Sequence, residues 1–117
     1  MKKETKLTAP SKTKTYIRVR KEIKEWIEQN SFLVIANSRW YIGITNDAKR
    51  RKKEHEIKNN KKCKYWKIWN MKSVRLSLAL ETSFHKQGLL DKDTKGGYDK
   101  KTSKYIYVYK KFPTIID

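Results

Sequence analysis

The sequence is poor in cysteine, proline, glycine and acidic residues, and it has no long apolar run. Its 117 residues include one cysteine, two prolines and four glycines. The single thiol, Cys63, has no second thiol with which to form an internal disulfide or a zinc site, which favours a reducing cytoplasm. No window approaches the roughly 20 apolar residues of a membrane span, and the basic start lacks the apolar stretch of a secretory signal. We therefore expect a cytoplasmic protein with no membrane partner.

Positive charge is what the sequence has in excess. There are 30 lysines and arginines against 12 aspartates and glutamates, a net charge of +18. Such an excess attracts polyanions, so nucleic acid is the first candidate partner and an acidic membrane surface the second. Four tryptophans, seven tyrosines and three phenylalanines are enough for a small core, and the length suits one domain.

The first half of the chain predicts a tail, a helix and a hairpin. Residues 1–15 are basic and lack apolar periodicity, which is typical of a flexible tail, and residues 16–117 then form the single domain. From Tyr16 the apolar spacing predicts a short extended lead-in and a helix over 20–29. Two apolar runs, 32–36 and 40–44, flank Asn37-Ser38-Arg39 and predict a hairpin.

The second half alternates helices and strands. Asp47 is a suitable N-cap for a helix of almost entirely charged residues, which we expect on the surface. A strand over 65–69, a helix over 73–86 ended by Gly88, a polar loop and a half-buried strand over 104–110 follow. The order of elements predicts an α+β domain with a small, mainly antiparallel three-stranded sheet flanked by helices.

One segment carries a recognisable motif, YIGITNDAKRRKKEH at residues 41–55. Tyr41-Ile42-Gly43 matches the second signature tripeptide of the GIY-YIG nuclease superfamily. Arg51 lies ten residues after Tyr41, as the arginine of that family does, and His55 follows four residues later. Over residues 30–111 the chain therefore resembles the small stand-alone branch of this superfamily.

Two family positions have no match. Residues 32–34, Phe-Leu-Val, occupy the place of the first signature tripeptide, so Tyr41, His55 or Tyr16 would have to substitute for its tyrosine. The late asparagine of the family also has no clear counterpart, although Asp93 and Thr94 occupy that region.

The resemblance implies a magnesium-dependent DNA endonuclease that uses a single metal ion. By this resemblance Glu81 would hold Mg²⁺, for which Mn²⁺ could substitute, and the ion would assist the departing 3′ oxygen. Arg51 would hold the scissile phosphate, because a guanidinium fork matches two phosphate oxygens. Tyr41 would act as the base or position the water, and His55 would position the water or share the proton.

Each assignment has a structural alternative. Tyr41 could simply pack in a sheet, Arg51 could make a nonspecific phosphate contact, and His55 could be a surface histidine. Glu81 is flanked by apolar residues, and a buried, unpaired carboxylate is costly, so a ligand or ion-pair role is favoured. His85, one turn further on, could help at the site, but a surface position is expected.

Basic residues spread along the chain predict further contacts with the DNA backbone, which give affinity without sequence information. The expected contacts are Lys49, Arg50, Lys52, Lys53, Lys61, Lys62 and Lys64. Target choice would then be loose, or it would be supplied by a homodimer or a partner protein. Two other hypotheses remain: a catalytically inactive nucleic-acid-binding protein with the same fold, and a basic RNA-binding protein.

Overall fold

The structure is a computed structural model that describes residues 8–31, 35–90 and 99–113. Three helices and three strands alternate in these ranges, and single 3-10 turns lie at Pro10–Lys12 and Asn37–Arg39. In chain order the elements are α1 (Lys14–Gln29), β1 (Trp40–Thr45), α2 (Ala48–Asn59), β2 (Lys64–Asn70), α3 (Val74–Lys86) and β3 (Tyr105–Lys110).

The strands form one antiparallel sheet in the order β1-β3-β2. This confirms the expected α+β fold with a small three-stranded sheet. The last strand along the chain is the central one, paired with β1 on one side and β2 on the other. Because it has neighbours on both edges and is covered on both faces, β3 is buried from Ile106 to Lys110. The expectation of a half-buried strand was therefore wrong.

The predicted hairpin is not the pairing that β1 makes. All six residues of β1 pair with β3, from Trp40 opposite Lys110 to Thr45 opposite Tyr105. Residues 32–34 lie outside the described residues, and Ile35 and Ala36 are not in a strand. The other edge of β1 is bridged by Leu90, whose carbonyl accepts from Ile42 N at 3.1 Å.

Helix α1 begins earlier than the sequence pattern indicated. Thr13 is its N-cap, and the Thr13 hydroxyl oxygen accepts a hydrogen bond from Tyr16 N at 3.2 Å. Tyr16 is therefore helical and buried, not part of an extended lead-in. Residues 1–7 of the expected tail lie outside the described residues, and the 3-10 turn at Pro10–Lys12 precedes the helix.

The other two helices and β2 lie where the sequence predicts them. Asp47 caps α2 by accepting from Arg50 N at 3.0 Å, and Ser73 caps α3 by accepting from Leu76 N at 3.2 Å. Such side chains satisfy backbone N–H groups that have no partner inside a helix. His55 is the one buried residue of α2, as expected for a helix composed almost entirely of charged side chains.

The two faces of the sheet differ. One face carries Ile42, Ile44, Ile106 and Val108 and packs with the apolar sides of α1 and α3 into the main core. The other face carries a second group, here called the tyrosine cluster, which consists of Tyr41, Tyr107 and Tyr109. Among the described residues no helix is long and apolar enough to cross a membrane.

Candidate functional site

The motif residues Tyr41, Arg51 and His55 meet at the tyrosine cluster. Arg51 and His55 lie one turn apart on α2 and both point toward the sheet, as their spacing of four predicts. The rings of His55 and Tyr41 meet edge to face, with centroids 4.6 Å apart. The sequence therefore predicted correctly that α2 would bring Arg51 and His55 to the strand that carries Tyr41.

At the centre of this group is Tyr107, which the sequence reasoning missed. Its hydroxyl oxygen accepts from Arg51 Nε at 3.2 Å and lies 2.7 Å from His55 Nε2. Its ring stacks on Tyr41 at 6.1 Å and on Trp66 at 4.7 Å between centroids. Four side chains from three other elements thus converge on one phenol.

His55 is held at both ring nitrogens by tyrosine hydroxyls. Nε2 lies 2.7 Å from Tyr107 Oη, and Nδ1 lies 3.1 Å from Tyr109 Oη. Asn59, one turn further along α2, donates from Nδ2 to the same Tyr109 oxygen at 3.1 Å. His55 is completely buried, so the alternative of a surface histidine was wrong.

The cluster keeps Tyr107 protonated and Arg51 charged. Burial raises the pKa of Tyr107 far above its ordinary value, and the nearby Tyr41 adds to this, while Arg51 opposes it. Burial by itself would lower the pKa of Arg51, but Tyr107 and Glu54 outweigh it, so the pKa of Arg51 is raised. A phenol that stays neutral needs another group to take its proton before it can act as a base.

Arg51 is the member of the group that reaches solvent. Its side chain is 18% exposed, and its Nη1 pairs with Glu54 Oε1 at 2.9 Å. Tyr41, His55 and Tyr107 are at most 3% exposed. A solvent molecule therefore reaches the Tyr107 hydroxyl only after a covering side chain moves, and Glu54 occupies part of the guanidinium fork that a phosphate would use.

Glu81 lies on α3, whose apolar side packs on the opposite face of the sheet from the tyrosine cluster. It is half-buried and lies one turn before His85, whose Nε2 is 3.3 Å from the Ile42 carbonyl oxygen of β1. His85 is likewise half-buried.

The described residues contain no group of three His, Cys, Asp or Glu side chains that could hold a metal ion. Zinc takes three or four such protein ligands, so these residues do not build a zinc site. Mg²⁺ keeps much of its water shell and needs only one or two carboxylates. The single carboxylate of Glu81 fits magnesium in this respect.

The expected DNA contacts lie on and after α2. Lys49, Arg50 and Lys53 are exposed on the helix, and Lys52 is half-buried. Beyond the helix, Lys61, Lys62 and Lys64 are exposed up to the start of β2, and Lys61 Nζ donates to the Lys111 carbonyl at 2.7 Å. These cations follow the same part of the chain that carries Arg51.

A signal for Tyr107 was present in the sequence. Ile106-Tyr107 repeats the last two residues of the unmatched first tripeptide, inside a segment whose alternation put Tyr105, Tyr107 and Tyr109 on one face. Tyr16, one of the residues considered as a substitute, belongs to the main core instead. Asp93 and Thr94 lie outside the described residues.

Comparison of the chain with family models, curated proteins and solved structures gives no match. A function for this chain therefore has to follow from its own residues and their geometry.

Proposed function

We propose that this protein is a magnesium-dependent DNA endonuclease of the GIY-YIG type. The observation that carries the proposal is the convergence of Arg51 and His55 on the hydroxyl of Tyr107, at 3.2 Å and 2.7 Å, beside Tyr41. A phenol in contact with both a cation and a proton acceptor brings together groups that can stabilise a phosphate's charge and move a proton during phosphodiester hydrolysis.

In this proposal Tyr107 takes the role of the missing first signature tyrosine. It lies on β3, late in the chain, whereas the first tripeptide was expected at residues 32–34. Because β3 pairs directly with β1, Tyr107 stands opposite Gly43 of the YIG motif. Sheet pairing thus brings the two signature-like segments side by side although chain order separates them.

The proposed reaction begins when a backbone phosphate binds Arg51. The phosphate displaces Glu54 from the guanidinium, and the resulting movement of Arg51 opens the Tyr107 hydroxyl to a water molecule. The water gives its proton to Tyr107 Oη while Tyr107 passes its own proton to His55 Nε2. The water oxygen bonds to phosphorus, the bond from phosphorus to the 3′ oxygen breaks, and the 3′ oxygen is protonated by solvent.

His55 has surroundings that suit a group which gains charge during the reaction. Aromatic rings of Tyr41, Tyr107 and Tyr109 lie 4.6 to 5.5 Å from its ring, and aromatic faces attract cations. The bound phosphate offsets the charge of Arg51, which would otherwise oppose an imidazolium nearby.

Glu81 would hold the magnesium ion, with water completing the coordination. When bound, such an ion would neutralise charge on a phosphate and on its leaving oxygen. The exposed cations of α2 and of the segment before β2 bind flanking phosphates without reading sequence. The net charge of the whole chain, +18, draws DNA toward the protein from a distance.

A second function is favoured by one specific observation. The Tyr107 hydroxyl is buried and Arg51 is paired with Glu54, an arrangement that would also suit a DNA-binding protein that never opens its site. Such a protein would bind DNA in a salt-sensitive way and would not cleave it with Mg²⁺ or Mn²⁺.

Incubation of supercoiled plasmid with the purified protein separates the two functions. The endonuclease nicks or linearises the plasmid with Mg²⁺ and is stopped by EDTA. Tyr107→Phe, Arg51→Ala and Glu81→Ala abolish cleavage, whereas Tyr105→Phe, on the same strand and face, retains it. Retention of plasmid on the protein without any cleavage in Mg²⁺ or Mn²⁺ would establish the silent binding protein instead. Cleavage that survives Glu81→Ala would overturn the metal assignment.

A further inference from the structure

His55 can accept the Tyr107 proton only if its Nε2 carries no hydrogen. A neutral imidazole has one N–H donor and one bare nitrogen acceptor, and the partner of each nitrogen decides which is which. The two partners here are both tyrosine hydroxyls, Tyr107 at Nε2 and Tyr109 at Nδ1. Both hydroxyls can donate or accept, so a third group must fix the direction.

Arg51 supplies that direction. A guanidinium can only donate hydrogen bonds, and Arg51 Nε donates to the Tyr107 oxygen at 3.2 Å. Tyr107 also shares a side-chain hydrogen bond with Tyr41. With Arg51 and Tyr41 donating to the two lone pairs of the Tyr107 oxygen, its own hydrogen is directed to His55, and the adjacent cation polarises that O–H bond. Complete burial beside Arg51 also disfavours a charged imidazole. Nε2 is then the acceptor, and the hydrogen of the ring belongs to Nδ1.

Tyr109 is placed to accept a hydrogen bond from the Nδ1–H of His55. It is 1% exposed, its ring stacks on Tyr41 and Trp66 at 5.3 and 5.9 Å between centroids, and Asn59 Nδ2 donates to its oxygen at 3.1 Å. A phenol oxygen has two lone pairs, so it can accept from both Asn59 and His55. Packing and the Asn59 bond keep this acceptor 3.1 Å from Nδ1.

We propose that Tyr109 is a positioning residue that holds buried His55 as the Nδ1–H tautomer, which keeps Nε2 free to accept the proton of Tyr107. Asn59 supports this role by fixing the Tyr109 oxygen. The proposal deepens the endonuclease function and rests on it for its effect on rate, but the tautomer itself is a property of the folded protein without DNA.

Removal of the Tyr109 hydroxyl takes away the acceptor that lies 3.1 Å from His55 Nδ1 in a fully buried position, and loss of an acceptor there is costly. A neutral imidazole escapes this cost by moving its hydrogen to Nε2, where Tyr107 can accept it in place of the Tyr41 hydrogen. Nε2 is then a donor and no longer takes the Tyr107 proton. The phosphate-binding residue Arg51 is untouched, so the rate of cleavage falls while DNA affinity stays the same.

The test is nitrogen-15 NMR of the two histidine side chains in the full-length protein without DNA or metal. His85→Asn identifies which signals belong to His55. We expect His55 to be protonated at Nδ1 and bare at Nε2 in the wild type and in the Tyr105→Phe control. Tyr109→Phe should shift the hydrogen to Nε2 in at least part of the population, and Asn59→Ala should shift it less.

The same variants are then compared in plasmid cleavage. Tyr109→Phe should lower kcat at least tenfold with KM within about twofold of the wild type, and Tyr105→Phe should change neither. A wild-type His55 with its hydrogen on Nε2, or a tautomer unaffected by Tyr109→Phe, overturns the proposal whatever the cleavage result. If NMR shows the expected tautomers but the protein never cleaves DNA, the endonuclease function is overturned and the tautomer assignment stands.

Discussion

Gly43 and Tyr107 stand directly opposite each other in the sheet, and a Cβ on residue 43 would lie 2.4 Å from the Tyr107 hydroxyl oxygen. It would also lie 2.6 Å from Tyr107 Cζ. No side chain fits there unless the phenol moves. The absence of a side chain at Gly43 therefore leaves the space that the Tyr107 hydroxyl needs to contact Arg51 and His55.

Gly43→Ala should displace Tyr107 and damage both stability and activity. Overpacking of a filled interior typically costs about 1–3 kcal/mol, so we expect a loss of that size in the free energy of unfolding, measured by urea denaturation. Plasmid cleavage should be lost in the same variant. In a Tyr107→Phe background the nearest atom is gone, so Gly43→Ala should cost less there; an equal cost in both backgrounds contradicts the steric reason.

Glu54→Gln should tighten DNA binding because it removes the negative charge that pairs with Arg51 Nη1 at 2.9 Å and with Arg50 Nε at 3.5 Å. Exposed ion pairs contribute about 0.2–1 kcal/mol, which corresponds to an affinity gain of about 1.4- to 5-fold. Fluorescence anisotropy with a labelled duplex measures the Kd. Glu25→Gln, at an exposed site on α1, changes the net charge equally and is the control. Equal gains from the two variants would mean that total charge, not competition for Arg51, sets the affinity.

The salt dependence of DNA binding should locate the binding surface on α2. Each phosphate contact contributes about 0.9 to the slope of log K against log salt for duplex DNA. Lys49→Ala and Lys53→Ala should each reduce the slope by about one contact, whereas Lys24→Ala, exposed on α1, should leave it unchanged. If Lys24→Ala lowers the slope as much as the two α2 variants, DNA does not prefer α2.

Alkaline pH should destabilise the protein in part through Tyr107. In the unfolded chain its phenol ionises near the ordinary pKa of about 10, but burial raises the pKa of Tyr107 in the folded state. The associated stability is complete below about pH 10 and is lost as the pH rises from there toward the folded pKa. Urea denaturation of the wild type should show a steeper loss above about pH 10 than Tyr107→Phe. Parallel curves would show that Tyr107 does not stay protonated in the folded protein.

The sequence predicted the elements whose signals are local. Asp47 and Ser73 mark the starts of α2 and α3, and the spacing of Arg51 and His55 places both on one side of α2. These depend on neighbours within one or two helical turns, where periodicity and capping are informative.

The sequence did not predict which strands pair. Two adjacent apolar runs favour a hairpin, yet β1 pairs with a strand about 60 residues further along the chain. Which distant strands pair depends on the whole sheet and not on the residues near each strand. The substitute for the first signature tyrosine was therefore sought in the wrong part of the chain, and Tyr107 was missed. The same reason explains why β3 was expected to have one exposed face.

The central position of β3 also determines when the tyrosine cluster can form during synthesis of the chain. In the described residues β3 is the one strand that pairs with both β1 and β2, so the three-stranded sheet cannot form until residues 105–110 have been synthesised. Pairings between residues distant in sequence form slowly, and the nascent chain meanwhile lacks both Tyr107 and Tyr109. Arg51 and His55 are synthesised about 50 residues before Tyr107 and Tyr109, whose hydroxyls they contact. The tyrosine cluster and its contacts with α2 therefore form only after β3 has been synthesised.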